Sequence, residues 1–225
     1  NHIITSAVEH PAVIEVCHWL ETQGLRVTVL PVDSRGLVDP ADLERALTPQ
    51  TILVTIMHSN NEVGTLQPIA QLAQMAHRAG ALFHTDAAQS PGKVAVNVDE
   101  LGVDLLSIAG HKLYAPKGVG ALVIRGGLEL GGVLHGAGQE SGRRPGTENV
   151  LEIVGLGKAC EVAQRDLVKN TAHFQEMRDR LHEALLGELG ADAVRLNGHP
   201  EQRLPNTLSL SFRGVEANTL LAEIG

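Results

Sequence analysis

Short β-branched runs alternate with helix-period segments almost from the first residue, and this alternation restricts the fold more than any other property of the chain. His2 to Thr5 reads as a strand and Pro11 to Gln23 as a helix, with Pro11 in its first turn and Gly24 where a left-handed stop is wanted. Arg26 to Val32 is a strand, Asp39 and Pro40 open a capped helix that runs to Leu47, and Thr51 to His58 is an unbroken strand of the kind buried on both faces. Helix and strand follow again over Pro68 to Gly80 and Ala81 to Asp86. Leu105 to Ala109 and Val119 to Arg125 are further strands, joined by a link too short for a crossover helix, which predicts an antiparallel pair. The alternation as a whole predicts an α/β fold, a mostly parallel sheet flanked by helices on both faces.

The pattern changes near Gly126. Residues 126 to 149 carry Gly126, Gly127, Gly131, Gly132, Gly136, Gly138, Gly142 and Gly146, too many for a helix or a central strand and too long a stretch for a plain connection. Asn149 to Leu189 is helix-periodic, with Leu151, Val154, Ala159, Val162, Phe174, Met177 and Leu181 at three- and four-residue steps, and suits a bridge between domains. Val194 to Leu196 and Thr207 to Phe212 then read as strands and Val215 to Ile224 as a helix, restarting α+β structure.

Composition removes several function classes. A chain of 225 residues with 43% apolar side chains buries a real core, and a net charge of −8 disfavours nucleic acid or an anionic membrane surface as a partner. No run approaches the roughly 18 apolar residues of a membrane span, and no secretory signal opens the chain. Cys17 and Cys160 lie far apart on apolar-periodic stretches, which predicts packed thiols, a reducing compartment and a soluble, cytoplasmic protein. The start at Asn1 without a methionine, already inside an apolar run, and the stop at Gly225 read as a piece of a longer chain.

In an open parallel sheet ligands bind beyond the carboxyl ends of the strands. After the successive strands come Glu9-His10-Pro11, His58-Ser59-Asn60-Asn61-Glu62, Asp86-Ala87-Ala88-Gln89 and Gly110-His111-Lys112, whereas Arg26 to Val32 delivers only Asp33 and Ser34 to an ordinary turn. Singly, Asp86 fits a helix cap, His10 and His58 fit structural histidines, and Lys112 fits a surface lysine. Lys112 nevertheless lies between an apolar strand and the Tyr114-Ala115-Pro116-Lys117-Gly118 turn, where a desolvated, imine-forming amine is expected. An acid, such a lysine, a stacking-capable histidine and amides are what a pyridoxal cofactor uses. Two other cofactor schemes are weaker. Gly155-Leu156-Gly157 and Gly136-Ala137-Gly138 lack the strand, helix and third glycine of a dinucleotide fingerprint, and His84 and Asp86 with His58 and His111 lack a helical histidine pair to complete a metal set.

Ser107-Ile108-Ala109-Gly110-His111-Lys112-Leu113-Tyr114-Ala115-Pro116-Lys117-Gly118 resembles the pyridoxal-phosphate lysine segment of the cysteine desulfurases, in the class V aminotransferase family. His58-Ser59-Asn60-Asn61-Glu62-Val63-Gly64, His84-Thr85-Asp86-Ala87-Ala88-Gln89-Ser90, Gly136-Ala137-Gly138-Gln139-Glu140 and Arg144-Pro145-Gly146-Thr147-Glu148-Asn149 resemble further blocks of that family, in the same order, across essentially the whole chain.

The resemblance implies the aspartate-aminotransferase-like fold (fold type I), with residues 1–150 belonging to the cofactor-binding large domain and 151–225 supplying an interdomain helix and the start of a small α+β domain. It implies pyridoxal 5'-phosphate as cofactor and, in the parent protein, conversion of L-cysteine to L-alanine with the sulfur passed to an enzyme cysteine and then to an acceptor protein, as in iron–sulfur cluster assembly. L-selenocysteine as substrate, a non-catalytic scaffold, or another class V reaction such as transamination are the alternatives. Lys112 would carry the cofactor and move the α-proton. His10 would stack on the ring and assist proton transfers, and Asp86 would pair with the ring nitrogen. Gln89 would reach the phenolic oxygen, and Asn61 would lie near that oxygen and the substrate carboxylate. His111 would bind phosphate with hydroxyl groups, and Thr147 would reach the phosphate of the partner subunit in a homodimer. No metal is implied.

The departures also carry expectations. Ala109 stands where many family members place a phosphate-binding serine, leaving Ser107 or water to replace it. The family's phosphate loop would precede Asn1, and its nucleophilic cysteine would follow Gly225, as would its carboxylate-binding arginine. Neither Cys17 nor Cys160 matches the cysteine position, so the chain as given is expected to hold the cofactor weakly and not to turn over.

Overall fold

The computed structural model describes residues 1–224. Gly225, the last residue of the segment assigned to the small domain, lies outside the described residues. Strands β1 (His2–Ser6), β2 (Arg26–Leu30), β3 (Thr51–Thr55), β4 (Leu82–Asp86) and β5 (Leu105–Ala109) are parallel neighbours, and β6 (Gly120–Ile124) runs antiparallel to β5. The sheet order is β2-β1-β3-β4-β5-β6. The expected parallel sheet and its antiparallel edge pair are therefore both present.

Two helical layers cover the sheet because alternate strand residues face opposite ways. Ile4, Val54, Phe83 and Leu106 on one face pack with Leu43 of α2 (Pro40–Ala46) and with Ile69, Leu72, Ala73 and Ala76 of α3 (Ile69–Arg78). Phe83 is fully buried there, and a side chain of that size contributes about 2 to 3 kcal/mol of hydrophobic stabilisation. Helix α1 (Pro11–Thr22) packs against β1 and β2, with Cys17 buried, and Gly24 follows it at φ +88°, the left-handed stop that a residue without Cβ adopts freely.

Beyond β6 the chain forms no regular element longer than a single 3-10 turn until α5 (Val150–Arg165), in agreement with its glycine density. Helix α6 (Leu167–Leu189) follows after a break at Asp166, and β7 (Val194–Leu196) pairs antiparallel with β8 (Leu210–Phe212) before α7 (Ala217–Ile224). No described helix is long and apolar enough to cross a membrane.

Several elements differ from the sequence expectation. β3 ends at Thr55 rather than His58, although Ile56 and His58 still donate to the carbonyls of His84 and Asp86 at 3.2 and 2.8 Å. Its flanking Asn60 accepts the N–H groups of Glu62 and Val63 on Oδ1, which turns the chain away from the ladder. Nor is β3 buried on both faces, since Ile52 is 43% exposed. β2 ends at Leu30, and β8 contracts to Leu210–Phe212 because the Thr207 carbonyl is taken by Arg203. The single-turn helix α4 (Val98–Leu101), capped by Asn97, is too short to show periodicity. Cys17 is a packed thiol as expected, but Cys160 is exposed, because its side of α5 faces solvent.

Candidate active site

Parallel pairing brings the carboxyl ends of β1, β3, β4 and β5 to one edge of the sheet. Asp86 is the last residue of β4 and the register partner of Ser107 on β5, so the two side chains share a face. The half-buried Asp86 carboxylate is fixed through Oδ1, which accepts the Ala88 N–H at 2.8 Å. Gln89 follows on the same turn and is half-buried.

Two residues before Asp86, on the same face, His84 spans the sheet. Its Nδ1 lies 2.7 Å from Thr55 Oγ1 on β3 and its Nε2 2.9 Å from Ser107 Oγ on β5. Burial holds the His84 ring below the usual imidazole range, against the opposing pull of the Asp86 charge, so it is a neutral link between two hydroxyls. Ser107 thus already has a partner on the face assigned to the cofactor.

His10 is the N-cap of α1. Its Nδ1 accepts the Ala12 N–H at 3.1 Å, which orients the ring and leaves the neutral tautomer's proton on Nε2. The preceding Glu9 is buried, with Oε1 accepting from Ser6 Oγ at 2.5 Å and from the Met57 N–H at 2.9 Å. Its Oε2 is buried without a hydrogen-bond partner. Burial raises this carboxyl to about 7, with the Asp86 charge adding to the shift and the two hydrogen bonds opposing it. The buried His58 ring, held by Ser90 Oγ at 2.8 Å, is pushed the other way, to about 4, also by burial.

Lys112 lies in a 3-10 turn, Gly110–Leu113, directly after β5. Gly110 permits this turn to pack, since a Cβ there would stand 2.6 Å from the Val119 carbonyl oxygen. Tyr114 closes it at φ 62°, a left-handed conformation costly for a bulky residue, and the Ala115 N–H donates to the Gly110 carbonyl at 3.1 Å. The backbone around Lys112 is therefore held as tightly as the sequence suggests, while the side chain itself is half-buried rather than sealed. Lys93 Nζ donates to the Lys112 carbonyl at 3.3 Å, and burial, with the Lys112 charge as a second cause, lowers the Lys93 amine. His111 is exposed.

Two cavities flank these residues, and Asp86, Gln89 and Ser107 line neither. His10 and Asn61 line one of about 390 Å³, together with Glu9, Arg35, Glu62 and Asn197. Lys112 lines another of about 460 Å³ beneath α5 and α6, with Lys93, Lys158 and Phe174 among its walls. The structure thus brings His10 to Asn61 and Asp86 to Ser107, but places Lys112 and His10 in different cavities. Thr147 is exposed on the glycine-rich loop, and no hydrogen bond or shared cavity joins it to the strand ends among the described residues.

The donor chemistry fits pyridoxal phosphate at the ring: a fixed carboxylate for the pyridine nitrogen, an amide, an oriented imidazole and an amine on a rigid turn at the next strand end. For the phosphate the set is thin, because Ala109 has no hydroxyl and the Ser107 hydroxyl is bonded to His84.

The fold and the ordered strand-end residues define a class, and comparison with known proteins agrees. Residues 1–224 match the family model described as aminotransferase class-V, and the chain belongs to that family. Among its relatives, cysteine desulfurase IscS of Dictyoglomus turgidum is 50% identical over 224 residues, 100% of this chain and 56% of that protein. Cysteine desulfurase IscS of Methanosarcina thermophila is 48% identical over 221 residues, covering 98% of this chain and 54% of its own length. The chain spans about half the length of the curated relatives it matches. A solved NifS-like protein superposes with a TM-score of 0.94 at 39% identity, over 100% of this chain and 62% of its own. A structure titled SspA in complex with cysteine does so at 0.84 and 36%, again over 100% and 62%.

Sequence reasoning placed Glu9 at a strand end without giving it a role, gave Arg203 none, and gave His84 none beyond a metal scheme. An acid directly before His10, at the end of an apolar strand, was the available signal for Glu9. Arg203 is 5% exposed and donates to the carbonyls of Val63, Asn197, His199 and Thr207, tying the loop beyond β7 to the loop beyond β3. No local pattern announces that role.

Proposed function

We propose that the full-length protein is a pyridoxal-phosphate-dependent cysteine desulfurase, taking sulfur from L-cysteine and leaving L-alanine. The observation that carries this is the pairing of Asp86 with Ser107 at adjacent strand ends, with Lys112 on the rigid turn that follows. The names of the relatives support it. The cofactor, when bound, supplies an electron sink for the substrate's α-carbon. Asp86 would hold the ring nitrogen's proton, and Gln89 would donate to the phenolic oxygen. His10, oriented by its cap, would lie against the ring and offer Nε2 for proton transfer. Lys112 would accept the α-proton on its amine. Asn61, in the His10 cavity, would orient the substrate carboxylate. His111 would contribute to phosphate binding, as would Ser107 if it exchanged its His84 partner.

Residues 1–150 serve as the large domain in this scheme and 151–225 as bridge and partial small domain. Homodimerisation is part of it. Tyr114, Val133, Leu151 and Val154 are 92, 91, 84 and 65% exposed around the edge strand β6 and the start of α5, an apolar surface that a second copy would cover while delivering Thr147 to its partner's phosphate. The free, exposed thiol of Cys160 suits a reducing cytoplasm.

The test uses the full-length protein. Wild type should show the long-wavelength absorbance of lysine-bound pyridoxal phosphate and form alanine from cysteine; Lys112→Ala should lose both. Alanine formation surviving in that variant would reject the assignment. Leu151→Glu should shift the sedimenting species toward monomer.

A further inference from the structure

Glu9 is buried at the strand-end edge, yet the chemistry proposed above gives its carboxyl no task. One oxygen is clamped by Ser6 Oγ and the Met57 N–H, and the other, Oε2, is buried and unpartnered. The next amide along, that of His58, donates to the Asp86 carbonyl at 2.8 Å. Consecutive amides beyond β3 therefore tie the side chain of one acid and the main chain of the other to the same few atoms. The titratable and charged groups around Glu9 are Asp86 from β4, Cys17 from α1, His58 beyond β3, its own neighbour His10, and Arg35 and Glu62, which line the same cavity. Asp86 is the one whose charge acts on the Glu9 carboxyl, and it disfavours ionisation.

We propose that Glu9 is a positioning acid for the ring-nitrogen site: buried beside the atoms that hold Asp86 and coupled to it, it ionises more readily once the Asp86 charge is neutralised. Two carboxylates held at one strand-end edge repel, so protonating the more deeply buried one relieves the pair. A cationic ring nitrogen on Asp86 would remove the repulsion, and Glu9 would then ionise at a lower pH, with its burial still opposing the charge. Glu9 touches neither ring nor substrate in this scheme; it acts through Asp86. Its titration lies near neutrality, where such a response is felt. The role in cofactor binding rests on the reading of Asp86 given above; the coupling of the two acids does not.

Two measurements on the full-length protein separate these. In the cofactor-free protein, the infrared band of a protonated carboxyl should titrate near neutral pH and vanish in Glu9→Gln. In Asp86→Asn its midpoint should fall by roughly half a pH unit or more, the size expected of one charge acting at modest range in a protein interior. A midpoint unmoved by Asp86→Asn, or a band that persists in Glu9→Gln, overturns the coupling. In the second measurement, pyridoxal phosphate affinity between about pH 5 and 7 should rise more steeply in wild type than in Glu9→Gln, by about threefold in total for a half-unit fall in the Glu9 midpoint. Equal slopes overturn the link to the cofactor. Absence of any pyridoxal phosphate binding rejects the functional reading instead, and the infrared titration still decides the coupling.

Discussion

His84 Nε2 and Ser107 Oγ stand 2.9 Å apart across neighbouring strands, and this contact fixes the floor beside Asp86. With Thr55 on its other nitrogen, the half-buried imidazole is satisfied at both ends, and desolvation keeps it neutral. Ser107→Ala would leave one end unpaired at a cost of about 1 to 3 kcal/mol, the usual penalty for a stranded buried polar group. Urea denaturation at pH 7 measures it. An unchanged midpoint would show that the hydroxyl contributes nothing to the sheet and is free for another ligand.

Glu9 and His58 give opposite pH dependences. The Glu9 carboxyl rises from 4.5 to about 7 on folding, so its contribution to stability is full below 4.5 and is lost as pH climbs to 7. His58 falls from 6.5 to about 4, so its contribution is full above 6.5 and is lost as pH drops to 4. Each span corresponds to roughly 3 kcal/mol. Relative to wild type, Glu9→Gln should gain about that much between pH 4.5 and 7, and His58→Gln should lose about as much between pH 4 and 6.5. Denaturation at three pH values for each variant checks the signs, and parallel slopes in the two variants would contradict both assignments.

The legible part of this fold is the part governed by period and position. Parallel strands must end at one edge, so Asp86, Asn61 and Lys112 could be grouped from the sequence. The neighbours of each side chain were not legible, because they arise from register and burial between distant segments. His84 finds Thr55 and Ser107 only once three strands are aligned, and Glu9 is buried only because Met57 arrives from β3. The same holds for Cys160, whose apolar-periodic setting suggests packing although its side of α5 faces solvent. Likewise, Lys112 and His10 sit at the same edge of the sheet, but β3 and β4 lie between their strands, and the turn after β5 aims Lys112 into a cavity of its own.

Gly110→Ala tests how rigidly that turn must be held. The added Cβ would meet the Val119 carbonyl oxygen at 2.6 Å and Val119 Cγ1 at 3.0 Å, and the carbonyl cannot yield because it accepts the Gly110 N–H at 3.0 Å. Relief requires moving β6 or opening the turn, at about 1 to 3 kcal/mol for overpacking against backbone. We expect a lowered melting temperature in residues 1–225 and, in the full-length protein, loss of the long-wavelength cofactor absorbance. A variant of unaltered stability and absorbance would show that the turn tolerates displacement.

Arg203 supplies the last test, because one side chain there holds two loops. Nη2 reaches the Thr207 carbonyl at 2.9 Å and the Val63 carbonyl at 3.3 Å, while Nη1 reaches Asn197 at 3.3 Å. The backbone repeats the link, with Leu204 N–H donating to Gly64 and Leu66 N–H to Gln202. Asn197 and Gly198 form part of the wall of the His10 and Asn61 cavity, so loosening this junction should deform that cavity without touching either residue. Arg203→Met keeps the length but strands the carbonyls, and should cost roughly 3 kcal/mol. Arg203→Lys keeps the charge but cannot span the same acceptors with a single ammonium, and should fall between. Hydrogen exchange at Leu66 and Leu204 should quicken in the order wild type, Lys, Met; exchange at the wild-type rate in Met would mean that the backbone ladder alone holds the junction.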